Sequence, residues 1–443
     1  MGVTERDPRT DCRKNFFEGR CTSELGKVSV IREAMGDEWL SNAVPNGKGA
    51  SMSTASFVDA RETVRYLTPT LRAGAADVDE RRAISPELSN TLIDAGVFRL
   101  LAPRSIGGDE IDPVAFFDVV EQASYADGSV GWLVRSGGCD VTFGGMLPTA
   151  PAHEIYGDHR AVTAGAFRLN GTAVEVENGY RVTGRWPQGS GSCDATWFLG
   201  GTVILRDGQP VIGPTGMPMM REFWFRAEET EVIDTWTTTG LRGTASHDYA
   251  VKDVFVPAEH SCWFKEPPVE AGPLYQMAPI AMFAAFISAV SLGIARHALD
   301  EFVLLSQSKV PVLSRSVLAD RPVANAKLGR AKALVESGHA YIHGVLSSQW
   351  TAVSGGHRPT MTDRGALWLA ASLAGHNALE AIELLYTAAG ADAIYATSAL
   401  DRCLRDARTA VQHICTQESN FEIAGRFLSG RVEATMESSW VMD

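Results

Sequence analysis

The sequence has no C-x-x-C pair, no G-x-G-x-x-G, no Walker A loop, no H-E-x-x-H and no G-x-S-x-G. Without the glycine-rich turns that let backbone N–H groups approach a phosphate, the chain has no Rossmann domain of its own for NAD(P)H and no P-loop. Its seven cysteines (Cys12, Cys21, Cys139, Cys193, Cys262, Cys403 and Cys415) are odd in number and widely spaced. That disfavours a disulfide framework and a zinc ribbon, and fits a reducing cytoplasm. Basic side chains are in deficit: 40 Lys and Arg against 53 Asp and Glu give a net charge of −13. The acids are scattered along the chain, so neither a nucleic acid nor an anionic membrane is an expected partner. Long apolar runs are also scarce. Gly272 to Ala295 carries no charge, but it contains Pro273, Pro279, Ser288, Ser291 and Gly293 and runs on into a charged amphipathic segment at Arg296. This reads as the buried helix of a large bundle, not as a membrane span.

What is present is ordinary globular composition, 45% hydrophobic and 21% charged over 443 residues, enough for about three domains. Residues 1–51 are charged and patternless, and are expected to be a poorly ordered extension. Residues 52–155 recur at helical spacing. Ser85-Pro86 and Asp112-Pro113 supply N-caps followed by proline at the first helical position, and a third helix opens near Asp127-Gly128-Ser129. From 156 to 265 the period changes to two, with Asn178-Gly179 and Asp207-Gly208 as hairpin turns, which predicts an antiparallel β-domain. From 266 to 432 long helical segments return, at about 276–308, 321–352, 362–388 and 399–427, as in an antiparallel bundle. The fold class is α+β, mainly α.

Few residues stand out as chemistry. His413 has the ring whose ordinary pKa of about 6.5 suits it to take a proton from a phenol or amine near neutral pH, and a hydrogen-bonded bundle histidine is the plainer reading. Ser190 sits in the turn Trp186-Pro187-Gln188-Gly189-Ser190-Gly191. Trp132 lies on an apolar helix face, Lys309 follows a long helix, and Gly390 stands where a helix should end. Glu336-Ser337-Gly338-His339 with His343 is half of a carboxylate-bridged metal motif, but no second E-x-x-H accompanies it, so no metal is assigned.

Taken in order, Leu101-Ala102-Pro103 with Gly107-Gly108, Asp127-Gly128-Ser129-Val130-Gly131-Trp132, Gly184-Arg185-Trp186 with Ser190-Gly191, Gly240-Leu241-Arg242-Gly243-Thr244 with Asp248, and Arg405-Asp406 with His413 resemble the acyl-CoA dehydrogenase superfamily. Within it they resemble the reduced-flavin-dependent monooxygenases of two-component systems. The likeness runs over about residues 55–430. It implies an N-terminal helical domain, a central β-domain and a C-terminal four-helix bundle, with a flavin between sheet and bundle and a homotetramer. It also implies that FMNH2 or FADH2 arrives from a separate flavin reductase, and that a C4a-hydroperoxyflavin hydroxylates an aromatic, phenolic or amine substrate. His413 would serve as substrate base and Ser190 would lie near flavin N5. Trp186, Gly191, Trp132, Lys309 and Gly390 would contact the cofactor. The pattern departs at Gln188 and Gly189, where a phenylalanine and a small polar residue are usual. The alternatives are a dehydrogenase acting on an acyl thioester, which would need Glu418 as its base, and a flavin-binding homologue without activity.

Overall fold

A computed structural model describes residues 53–213, 216–264 and 266–431; the expected extension over 1–51 lies outside them. Among the described residues six α-helices come first: α1 (Ser53–Ala73), α2 (Ala75–Arg81), α3 (Pro86–Asp94), α4 (Pro113–Ala126), α5 (Gly128–Asp140) and α6 (Thr149–Tyr156). Their starts follow from local chemistry. Ser85 accepts a hydrogen bond from Leu88 N–H, Asp112 from Ala115 N–H, and Asp127 from Ser129 and Val130 N–H. Each satisfies a donor that the first helical turn cannot.

Eight strands follow: β1 (Thr163–Val176), β2 (Gly179–Gly189), β3 (Trp197–Arg206), β4 (Gln209–Pro210), β5 (Met220–Arg226), β6 (Glu231–Ile233), β7 (His247–Pro257) and β8 (Ser261–Cys262). They form one sheet in the order β6-β7-β2-β1-β3-β5-β8, with β4 on β3. The sheet is not wholly antiparallel as expected, because β1 and β3 pair in parallel from Thr163↔Trp197. The cause is topological. The β1–β2 hairpin occupies one side of β1, so the chain must cross the sheet end to reach the other side. Residues 190–196 make that crossing and carry Ser190.

Trp186 is corrected by the structure. It is completely buried in the core of the β-domain, with its indole stacked on Tyr249 at 5.5 Å and its Nε1–H donating to Gly201 O at 2.8 Å. A Cβ added at Gly171, Gly184 or Gly200 would lie 2.5 Å from its indole. The three glycines clear the space that the ring fills, so it packs the sheet and walls no cofactor.

The bundle comprises a short α7 (Pro273–Gln276), then α8 (Pro279–Ser308), α9 (Pro322–Ser354), α10 (Met361–Ala389), α11 (Ala399–Ala410) and α12 (Ser419–Leu428). Helix α8 is long and apolar enough to cross a bilayer, yet 83% of its most apolar window is buried inside the protein. It packs on α4, α10 and α11, which ties the N-terminal helices to the bundle. The segment expected as one helix over 399–427 is two, and the break holds His413. Glu336 and His339 do not converge. Glu336 pairs with Lys332 at 2.6 Å, whereas His339 reaches Glu121 on α4 at 2.9 Å.

Removing an indole that is packed on all sides costs about 3–5 kcal/mol. Trp186→Ala is therefore expected to lose about that much stability in denaturant unfolding, whether or not ligand is present. A loss of ligand affinity at unchanged stability would restore Trp186 to the cofactor wall.

Candidate active site

Three sequence motifs that look unrelated meet at one junction. The loop 240–246 lies between α11, the N-terminus of α5 and the crossing turn after β2. Asp406 on α11 accepts Leu241 N–H at 2.6 Å, and Arg405 donates to Thr239 O at 2.6 Å. Ser129 on α5 accepts Gly243 N–H at 3.2 Å, and Gly191 N–H donates to Thr244 O at 2.9 Å. The loop touches α11 so closely that a Cβ at Gly240 would sit 2.0 Å from Arg405 O. Leu241 and Ala245 both take positive φ, 48° and 44°, a conformation that costs a non-glycine residue free energy and persists only where surrounding bonds enforce it.

The loop presents its hydroxyls to Ser190. Trp132 Nε1–H donates to Ser190 Oγ at 2.9 Å, Ser190 Oγ meets Ser246 Oγ at 2.8 Å, and Ser246 Oγ meets Thr244 Oγ1 at 2.7 Å. Thr244 Oγ1 donates to Leu241 O at 2.8 Å. Ser190 and Gly191, the latter at φ 78° as its turn requires, line a narrow cavity with Phe98, Leu133, Val162 and Asp194. Burial pushes the Asp194 carboxyl up to about 7. On the bundle side, the Trp132 ring lies edge-on to His413 at 5.8 Å. The structure thus gathers Trp132, Ser190, Gly191 and His413.

His413 caps the short turn 414–416 with its side chain, where Nδ1 accepts Cys415 N–H at 3.2 Å. A neutral imidazole that accepts at Nδ1 carries its proton on Nε2. Desolvation, then the positive charges of Arg135 and Arg168, push its pKa down to about 3, so the ring is neutral across physiological pH. The nitrogen left for a ligand is a donor. To take a proton at Nδ1, as the expected role of substrate base requires, His413 would have to surrender the Cys415 contact.

Arg135, one turn beyond Trp132 on α5, is 8% exposed, and its guanidinium lies 5.5 Å from the Trp132 ring centroid. Its Nε has no hydrogen-bond partner among the described residues, its Nη1 contacts Ser136 Oγ at 3.4 Å, and its charge acts on the buried Asp140 carboxyl without a direct ion pair. A buried guanidinium with an unsatisfied Nε is costly and suits a site that takes an anion.

Lys309 and Gly390 come together elsewhere. Lys309 Nζ donates to Ala389 O at 2.6 Å and pairs with Asp392 at 2.9 Å. Gly390, at φ 64°, ends α10. Among the described residues, no hydrogen bond, ion pair or ring contact links them to the Ser190 cluster. Glu418 is exposed, so it cannot supply a buried dehydrogenase base. Sequence reading did not find Thr244, Ser246, Arg135 or Asp406's anchoring role. Thr244 and Asp406 stand in the motifs without a role, and the signal that could have found Arg135 is a basic residue amid the small and apolar residues of α5.

A helical domain, a sheet and a long bundle meeting at such a cleft define the acyl-CoA dehydrogenase fold. Residues 285–418 match the model of the acyl-CoA dehydrogenase C-terminal domain. The chain is 31% identical over 361 residues to indole-3-acetate monooxygenase of Pseudomonas putida, spanning 81% of this chain and 91% of that protein. It is 28% identical over 357 residues to the flavin-dependent monooxygenase oxygenase subunit HsaA of Rhodococcus jostii (strain RHA1), spanning 78% and 92%. The crystal structure of 3-HSA hydroxylase from Rhodococcus sp. RHA1 superposes with a TM-score of 0.80 at 25% identity, covering 86% of this chain and 99% of that one. The chain belongs to the flavin-dependent monooxygenases of this fold, as an oxygenase component.

Two outcomes test the junction and its electrostatics. Asp406→Ala leaves Leu241 N–H without an acceptor and is expected to cost about 1–3 kcal/mol, whereas Asp406→Asn retains an acceptor. Burial, then Asp127, raise the Asp406 carboxyl from 3.8 to about 7. The folded state therefore holds the extra proton, and wild-type stability falls as pH rises through that window. Asp406→Asn lacks this slope, so its stability relative to wild type should grow from pH 4 to 7; parallel unfolding curves would contradict the assignment. Separately, Arg135→Met should raise the His413 pKa above its wild-type value of about 3, read from the ring resonances in an NMR titration. No shift would remove Arg135 from the site.

Proposed function

We propose that this chain receives FMNH2 or FADH2 from a separate flavin reductase and, with dioxygen, hydroxylates a small aromatic molecule. A phenol or another electron-rich ring is the first substrate class and an amine the second. The observation that carries this reading is the convergence of Trp132, Ser190 and His413 beside an apolar cavity, with a buried guanidinium whose Nε has no hydrogen-bond partner among the described residues. The chemistry of these groups suits a planar heteroaromatic anion. Rings bear on its edge, a hydroxyl offers a lone pair, and Arg135 offers charge. When bound, reduced flavin supplies the electrons and the dioxygen chemistry.

The protein's own part is to hold and to exclude. Phe98, Leu133 and Val162 give the cavity that Ser190 lines an apolar wall, and a ligand seated there would displace water and strengthen the polar contacts it makes. Ser190 and Gly191 hold the cofactor. His413, neutral and protonated at Nε2, donates to a ligand oxygen. The monooxygenase named for indole-3-acetate, the relative at 31% identity, supports an aromatic substrate. A homotetramer is part of the reading, supported by Val312 and Leu313, which are 91% and 103% exposed on the loop after α8, as apolar side chains at subunit contacts are in a lone protomer.

The test mixes protein with photoreduced FMN or FAD, isotopically labelled dioxygen, and indole, phenol or aniline in turn. Labelled product is expected with at least one, and His413→Ala should slow its formation about 100-fold while reduced flavin still binds. Tight oxidised flavin that is bleached anaerobically by an acyl-CoA would show the dehydrogenase instead, and flavin binding without product from any aromatic would show a mere binder.

A further inference from the structure

The hydroxyl chain behind Ser190 has two ends of fixed polarity. The Trp132 indole N–H can only donate, and the Leu241 carbonyl can only accept. Between them stand three hydroxyls, of Ser190, Ser246 and Thr244, joined by contacts of 2.9, 2.8, 2.7 and 2.8 Å from one end to the other. Four hydrogen bonds need four protons, and the indole and the three hydroxyls supply four. Only one arrangement makes all of them: Trp132 to Ser190, Ser190 to Ser246, Ser246 to Thr244, and Thr244 to Leu241 O. Thr244 and Ser246 are 0% and 3% exposed, so no water substitutes for a missing partner without cost. The Ser190 proton is therefore committed inward. Toward the cavity that it lines, Ser190 offers a lone pair and no hydrogen.

We propose that Thr244 and Ser246 are positioning residues that fix Ser190 as a hydrogen-bond acceptor and thereby make the site select reduced over oxidised flavin. The inference rests on the reading above, in which Ser190 meets the flavin at N5. That nitrogen is a bare acceptor in the oxidised ring and gains a hydrogen on two-electron reduction. An acceptor at Ser190 pairs with the reduced N–H and faces the oxidised nitrogen lone pair to lone pair. To donate to oxidised flavin, Ser190 would have to break one bond of the chain. The same polarity that admits the cofactor from a reductase would release it once spent.

The test compares dissociation constants for photoreduced and oxidised forms of the same flavin, measured anaerobically by absorbance or fluorescence titration. Ser246→Ala removes the acceptor of the Ser190 proton. Thr244→Val lets Ser246 turn its proton to Ser190, which also frees the Ser190 hydroxyl to point outward. Both should reduce the ratio of oxidised to reduced dissociation constants by about tenfold, the worth of one neutral hydrogen bond, mainly through tighter binding of oxidised flavin. Ser246→Thr and Thr244→Ser keep every hydroxyl and should keep the wild-type ratio. Simple damage to packing weakens both redox forms together and leaves the ratio alone. An unchanged ratio in both Ser246→Ala and Thr244→Val, in protein that still binds flavin, overturns the inference while leaving the proposed function standing. A wild-type protein that binds neither redox form of FMN or FAD overturns both.

Discussion

The hydrogen bond from Leu241 N–H to the buried Asp406 carboxyl holds the rest of the site in register. It pins the loop 240–246 to α11 across 2.6 Å, in a backbone that two non-glycine residues adopt only at left-handed φ. From that fixed point the loop reaches α5 through Ser129 and the sheet through Gly191. Helical domain, sheet and bundle are thus joined by a few polar contacts, each buried enough that losing one leaves an orphaned donor. The apolar packing of α8 against α4 brings the layers together, but the loop sets where Ser190 stands relative to Trp132 and His413.

Most of the architecture was legible in the sequence because period carries it. The switch from helical spacing to alternation near residue 160, and back near 270, marks the three layers without reference to any motif. The parallel β1–β3 pair was not legible, since strand order depends on which edge a chain returns to and no local residue records that. The break at 411–418 was hidden too. Helix α11 gives way there to a turn capped by an imidazole instead of by a glycine or proline, so the usual stop signals are missing. Of the expected site residues, Trp132, Ser190, Gly191 and His413 converge. Trp186 was misjudged because an aromatic next to a functional turn looks the same in sequence whether it faces a ligand or a core. Three distant glycines decided that it faces the core. Thr244 and Ser246 were invisible as functional groups because their effect is exerted through another hydroxyl.

The electrostatics follow from the same burial. The Arg135 Nε has no hydrogen-bond partner among the described residues, and His413 is held neutral by burial and by the charges of Arg135 and Arg168. An anion placed beside such a guanidinium gains from its charge and from the donor it leaves unused. Reduced flavin and phenolates are both anions of this kind. In this view the selectivity of the cleft lies in proton placement as much as in shape.

The most direct measurement is a crystal structure of the full chain grown anaerobically with reduced flavin. The account predicts the isoalloxazine ring lying against Trp132 and His413, with its N–H edge within about 3 Å of Ser190 Oγ and the loop 240–246 unmoved. A ring bound elsewhere on the molecule, or a Ser190 side chain turned away from it toward solvent, would contradict the account.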